Sequence, residues 1–214
     1  MRHGEINLRH TEAHCGTALD RWRARRPLTE GTPTWRDLTH GRCLPPRILA
    51  LAAWHRLIRE GQGGSAWFAH QDQAGRLTGI EVHGPSGRSF ASDRSLFQLP
   101  GGDGVMPRLV VVAAAIDALS LASLEGPRSD TLYLATAGGC GPMTIAALRA
   151  LLGQRAGLAQ LVAVSAAGER HATSLAELAH GVGVECMRLR PPRALVDWNG
   201  ILVRAAGREH RRAA

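Results

Sequence analysis

With 214 residues, 44% of them hydrophobic and 21% charged, the chain is long enough to bury one good core with a smaller appended lobe, which sets it apart from disordered and fibrous sequences. It holds no run of about 18 apolar residues, and the polar start MRHGEINLRH lacks the apolar centre of a signal peptide, so neither a membrane span nor a secretory leader is expected and a cytoplasmic protein is. The formal charge is +8, and all 26 basic residues are arginine.

Arginine suits phosphate, because its planar fork donates two parallel hydrogen bonds, and a basic balance favours a nucleic-acid partner. The competing reading is compositional: a GC-rich coding sequence supplies arginine, alanine and glycine whatever the function. On that reading the clusters Arg21 to Arg26 and Arg204 to Arg212 are solvated faces. Cys15, Cys43, Cys140 and Cys186 are far apart and form no CxxC pair, so neither a zinc ribbon nor a disulfide framework is expected.

In chain order, a helix is expected from Thr11, a suitable N-cap, to Arg26, where Pro27 ends it. The turn-rich PLTEGTPTW follows. A second helix is expected from Pro46 to Glu60, with proline in its first turn, Gly61 as its stop, and Ile48, Leu51, Leu57 and Ile58 facing the core. Ala66 to His70 and Arg76 to Val82 flank Asp72 to Gly75, the pattern of an antiparallel hairpin. Ser89 to Phe90 and Ser95 to Leu99 add short strands before a boundary near Pro100 to Pro107.

The second half alternates. Strands are expected at Arg108 to Val112, Thr131 to Ala135, Leu161 to Val164 and Val184 to Leu189. Helices are expected at Ala114 to Glu125, Pro142 to Leu152 and Thr173 to His180. Apolar strands separated by helices imply a parallel sheet covered on both faces, an α/β fold preceded by a smaller mixed α+β lobe.

Leu38 to Gly200 resembles the catalytic core of bacterial primases, and more closely the primase-like toprim proteins of plasmids and other mobile elements. LTHGRCLPPRIL resembles the start of that core, WFAHQDQAGRLTGIEVHG its hairpin, RSLFQLPGG the linker and VVVAAAIDALSLASLEG the first toprim motif. ATAGGCGPMTIAALRALL is similar to the second strand and helix, and DWNG to the late aspartate-tryptophan-asparagine motif. The resemblance implies an N-terminal helical segment at 1–37, a hairpin-bearing lobe at 38–103, a toprim-like domain at 104–203 and a basic tail at 204–214.

In that family, carboxylates at strand ends hold magnesium, which takes oxygen ligands in octahedral geometry for phosphoryl transfer. Here the first such position is Ala113, the next is Ser165, and the third falls on Ala166 or Ala167 or is deleted. Asp117, Asp197 and Asn199 match accessory positions. The expectation is a toprim scaffold that has lost its metal site, with no cofactor and no metal ligand, kept as a non-catalytic nucleic-acid-binding module. Magnesium enters only if Asp117, Glu169 or Asp197 forms a relocated site, which would restore a primase, nuclease or other phosphotransferase. A third reading is a protein-interaction factor acting on a replication or defence complex.

Phosphate contacts are expected from Arg42, Arg88, Arg108 and Arg170, and from Gly138, Gly139 and Gly141 at the start of a helix. For the glycines the alternative is a tight turn needing positive backbone angles. His10 and His14 share a helical face, as metal ligands can, if the first helix begins slightly early, but with no third ligand nearby the reading is of solvated residues; His70, His83, His171 and His180 have no partner that sequence identifies. Trp54, Trp67 and Trp198 are either core residues or base-stacking platforms. Cys140 becomes a reactive thiol only if the helix terminus lowers its pKa.

Overall fold

The computed structural model describes residues 17–85, 87–91, 95–126, 128–155, 160–164, 169–191 and 197–213. Thr11, His10, His14 and Cys15 lie outside them. The first helix, α1, covers Ala18–Arg23 and begins in a capping box: Thr17 Oγ1 accepts from the Asp20 amide, and the Asp20 carboxylate accepts from the Thr17 amide. Arg26–Pro27 form β1. Then come α2 (Pro33–Arg36), a π-helical turn at Asp37–Gly41, and α3 (Pro46–Trp54).

The expected helix to Glu60 is shorter than its sequence pattern. Arg56 adopts φ 56°, a left-handed conformation that stops the helix, and Ile58–Glu60 form β2 instead. Leu57 and Ile58 are buried all the same, because a strand edge serves the core as well as a helix face does; Leu51 is only partly buried.

The hairpin is β3 (Ala66–Gln71) and β4 (Leu77–Gly84), closed by a turn in which Asp72 Oδ1 accepts from the amides of Ala74 and Arg76 and Gly75 takes φ 73°. With β5 (Gly87–Ala91) these complete an antiparallel sheet of order β1-β2-β3-β4-β5. Its two faces differ. Ala66 and Phe68 join the main core, whereas Trp67, Ala69 and Ile80 pack outward against Trp22 of α1.

The second sheet has the order β10-β9-β7-β8-β6. Its members are β6 (Phe97–Pro100), β7 (Arg108–Val112), β8 (Thr131–Ala135), β9 (Gln160–Val164) and β10 (Glu185–Leu189). β7, β8, β9 and β10 pair in parallel, and β6 adds an antiparallel edge beside β8. The strand that precedes the expected boundary thus belongs to the sheet that follows it. Alternate residues face opposite cores: Val110, Val112, Tyr133, Ala135, Val162 and Val164 on one side, and Leu109, Val111, Leu132, Leu134, Leu161 and Ala163 on the other. Burial on both faces is why these strands read as unbroken apolar runs.

The first core takes in α4 (Ala115–Glu125) and the antiparallel lobe; the second is covered by α5 (Pro142–Gly153) and α6 (Glu169–Gly181). α6 begins four residues before its expected start. The stretch expected to be a basic tail is helical, since α7 runs over Trp198–Ala213. Trp198 and Leu202, four residues apart and so on one face, bury this helix in the first core, and it packs on α4. Among the described residues no helix is long and apolar enough to cross a membrane.

Candidate functional site

A cavity of about 420 Å³ lies at the carboxyl end of β7, bounded by Ala113, Val164 of β9, the first turn of α4, and His83 and Arg88 from the other lobe. Strands of a parallel sheet point their carboxyl ends at one place, so this is where an open α/β sheet offers a ligand site. Ala113 lines it, with its carbonyl accepting from the Gly138 amide at 2.7 Å. Ser165, Ala166 and Ala167 lie outside the described residues.

Asp117 and Asp197 also face this cavity, and both carboxylates serve helix α7. Asp117 Oδ1 accepts from the amides of Trp198 at 3.1 Å and Asn199 at 3.3 Å, and Asp197 Oδ1 accepts from Gly200 at 2.7 Å. Their negative charge sits at the positive end of the helix dipole. Burial, and after it the charge of Asp197, pushes the Asp117 carboxyl up to about 6, while the two amides pull the other way. Asn199 completes the joint, donating to the Arg42 carbonyl at 2.9 Å and to Ser120 Oγ at 3.0 Å.

Magnesium needs several oxygen ligands with enough negative charge to replace its water. Among the described residues no group of three or more histidines, cysteines or carboxylates is arranged to hold a metal ion, and the two acids at the cavity are spent as helix caps. The described residues at the cavity offer no such set.

Two arginines also line the wall. Arg42 reaches Asn199 Oδ1 at 3.5 Å. Arg88 lies over the Phe90 ring, 5.0 Å from its centroid, and its guanidinium rests against Gly138, where a Cβ would come within 2.9 Å of Nη2. Gly138 has φ 84°, so glycine is required there both by conformation and by the arginine. The glycine loop spends its amides internally, Gly138 on Ala113 and Gly139 on Thr136. Gly138 lines the cavity, and Gly141 is the N-cap of α5. Arg108 lies at the opposite end of β7, paired with Glu125 at 2.7 and 2.8 Å, and Arg170 is exposed on α6.

A buried cluster went unseen in the sequence. Glu81, 0% exposed on β4, accepts from His70 Nε2 at 3.1 Å, from His83 Nε2 at 2.6 Å and from the Ala115 amide at 3.2 Å. Burial pushes this carboxyl up, but the two histidine hydrogen bonds outweigh it and hold it at about 2. His83 carries the cluster to the cavity wall. The only sequence signal was Glu81 and His83 two apart on a strand, hence on one face, in a lobe that must bury that face. On the far wall His171 stands 3.4 Å from Cys140 Sγ; burial lowers the histidine and raises the thiol. Trp67 and Trp198 are core residues, whereas Trp54 is 81% exposed.

Residues 110–202 match the family described as Toprim-like. This part of the chain is a toprim-like domain. Residues 37–98 match a family described as "Protein of unknown function (DUF3991)". No curated protein matches the chain. Among solved structures it is similar to the RNA polymerase domain of the Mycobacterium tuberculosis primase DnaG, in complex with a double-stranded DNA oligomer with a 6-nucleotide overhang. The identity is 16%, over 83% of this chain and 71% of that one, with a TM-score of 0.51. The primase fragment of the bacteriophage T7 primase-helicase protein is 13% identical over 77% of this chain and 68% of that one, with a TM-score of 0.48. At 16% identity the likeness to the first of these is one of fold alone.

Proposed function

We propose that the chain is a primase-like toprim protein of a mobile element that binds nucleic acid by its phosphate backbone and does so without the magnesium chemistry of its fold. The observation that carries this reading is the substitution of charge at the strand ends. Ala113 stands where the resemblance expects the first carboxylate, and Arg42 and Arg88 line the same cavity. A guanidinium beside a phosphate oxygen supplies directly the positive charge that a bound cation would otherwise bring. Asp117 and Asp197 are held back by the amides of α7.

Fluorescence anisotropy with labelled single-stranded and duplex oligonucleotides tests it. Binding is expected at low salt, is weakened as salt rises, is unchanged by EDTA, and falls at least tenfold in an Arg42→Ala, Arg88→Ala variant. Absence of binding at low salt, or its loss on chelation, overturns the reading.

A further inference from the structure

The arginine cluster near the N-terminus is not a freely solvated face. Arg21 and Arg25 of α1 and its C-terminal turn lie over the ring of Trp67, at 5.7 and 4.7 Å from its centroid, and Arg59 of β2 lies over Trp22 at 5.4 Å. Arg59 Nη1 also donates to the Arg25 carbonyl at 2.6 Å, which ties the strand to the end of the helix. Trp22 and Trp67 are themselves fixed in a small core with Ala69 and Ile80.

Stacking uses the flat face of a guanidinium; the Nε of Arg21 and of Arg25 is buried by it, so the terminal Nη groups are the ones a phosphate would meet. The entropy of ordering these long side chains has been spent in folding, so a ligand need not supply it. Arg23 is exposed beside them, and none of these four arginines forms an ion pair with a described residue. The flanking acids are engaged elsewhere: Asp20 folds back on Thr17, and Glu60 accepts from Thr29 and Thr32. A tryptophan pair needs one apolar cover, whereas four cations with no ion pair among the described residues are an electrostatic cost that an anionic partner removes.

We propose that this surface, Arg21, Arg23, Arg25 and Arg59 on the outer side of the antiparallel sheet, is a second nucleic-acid contact that grips phosphates independently of the cavity. The two sites lie on opposite faces of the same sheet: Trp67 points outward, whereas Glu81 and His83 point inward to the cavity wall. α1 precedes both family-matched segments, whereas Arg59 and Trp67 lie within the first of them. The inference rests on the nucleic-acid reading given above and extends it to a separate surface.

The test uses the full chain and a labelled duplex of about 25 base pairs, titrated at several salt concentrations. An Arg21→Ala, Arg25→Ala, Arg59→Ala variant is expected to lose at least tenfold in affinity near 0.1 M salt. Its slope of log affinity against log salt should fall by roughly two to three, at about 0.9 per phosphate contact. The corresponding triple lysine variant keeps the slope. Should the alanine variant fold poorly by circular dichroism, Arg23→Glu, which leaves the tryptophan stacks intact, must weaken binding several-fold. Wild-type affinity and slope in these variants overturn the proposal; if Arg88→Ala still weakens binding in that case, the cavity reading survives alone. Preferential flotation of the wild type with phosphatidylserine vesicles, at salt where the duplex is not bound, overturns it in favour of a membrane surface.

Discussion

Glu81 accepts a 2.6 Å hydrogen bond from His83 and so joins a fully buried carboxylate to a residue on the cavity wall. The same carboxylate accepts from the Ala115 amide, the first residue of α4, so a strand of one lobe satisfies the helix start of the other. Glu81→Ala removes the acceptor from two histidines and one helix amide at once. A loss of about 3–5 kcal/mol is expected by denaturant unfolding, as for other buried pairs broken on one side. Glu81→Gln, which keeps one acceptor oxygen, should cost less. Equal stability of Glu81→Ala and the wild type would contradict this account.

The pH dependence of the same group has a definite sign. Its folded pKa of about 2 lies below the ordinary 4.5, so the folded state releases the proton more readily than the unfolded chain. Its stabilising contribution is complete above about pH 5 and is lost as pH falls through 2. Melting temperatures across that window should decline more steeply in the wild type than in Glu81→Gln.

Asp117 acts in the opposite direction. Its pKa is raised from 3.8 to about 6, so its contribution is greatest below the unfolded value and is lost as pH rises through 6. Asp117→Asn keeps an oxygen for the Trp198 and Asn199 amides but carries no charge. It should stabilise the protein by on the order of 1 kcal/mol at pH 8, and the gain should vanish by pH 4. Asp117→Ala, which loses the cap as well, should be destabilised by about 1 kcal/mol. Thermal melts of both variants at the two pH values separate charge from capping.

At the other end of β7, Glu125 accepts from Arg108 and from the Tyr133 hydroxyl at 2.8 Å. Glu125→Ala strands both donors in a partly buried setting and should cost about 3 kcal/mol. A double-mutant cycle with Arg108→Ala should return a coupling of about 1–3 kcal/mol. Nucleic-acid affinity should be unchanged, because Arg108 stands away from the cavity.

Asn199→Ala should behave differently. It removes the bonds that hold the Arg42 carbonyl and Ser120 to α7. The expected result is a several-fold loss of oligonucleotide affinity, measured by anisotropy, with the helical content of the fold retained. Unaltered affinity would mean that the position of Arg42 does not matter to binding.

The α/β half of the molecule was legible because its strands are buried on both faces: Arg108–Val112 and Thr131–Ala135 occur where apolar runs placed them. α3 was overextended, since apolar residues at Leu57 and Ile58 satisfy a helical spacing and a strand edge alike, and only the backbone turn at Arg56 separates the two. α7 was hidden by composition. Arginine in its second half resembles a tail, and the buried Trp198 and Leu202 make sense only against α4. At the site, the place of Ala113 could be read from the apolar run that ends there, and it lines the cavity at the end of β7. Glu81 could not, because its meaning lies in partners on another strand and another lobe.

The antiparallel edge strand β6 has a further consequence. Phe97–Pro100 leave the first lobe in sequence but form a ladder with β8, and Phe97 and Leu99 are fully buried in the core that also holds α3 and α4. A proteolytic nick in the segment 101–107 would therefore yield two fragments that stay clasped, each completing a surface of the other. The chain should behave as a pair of complementing pieces, not as two separable domains.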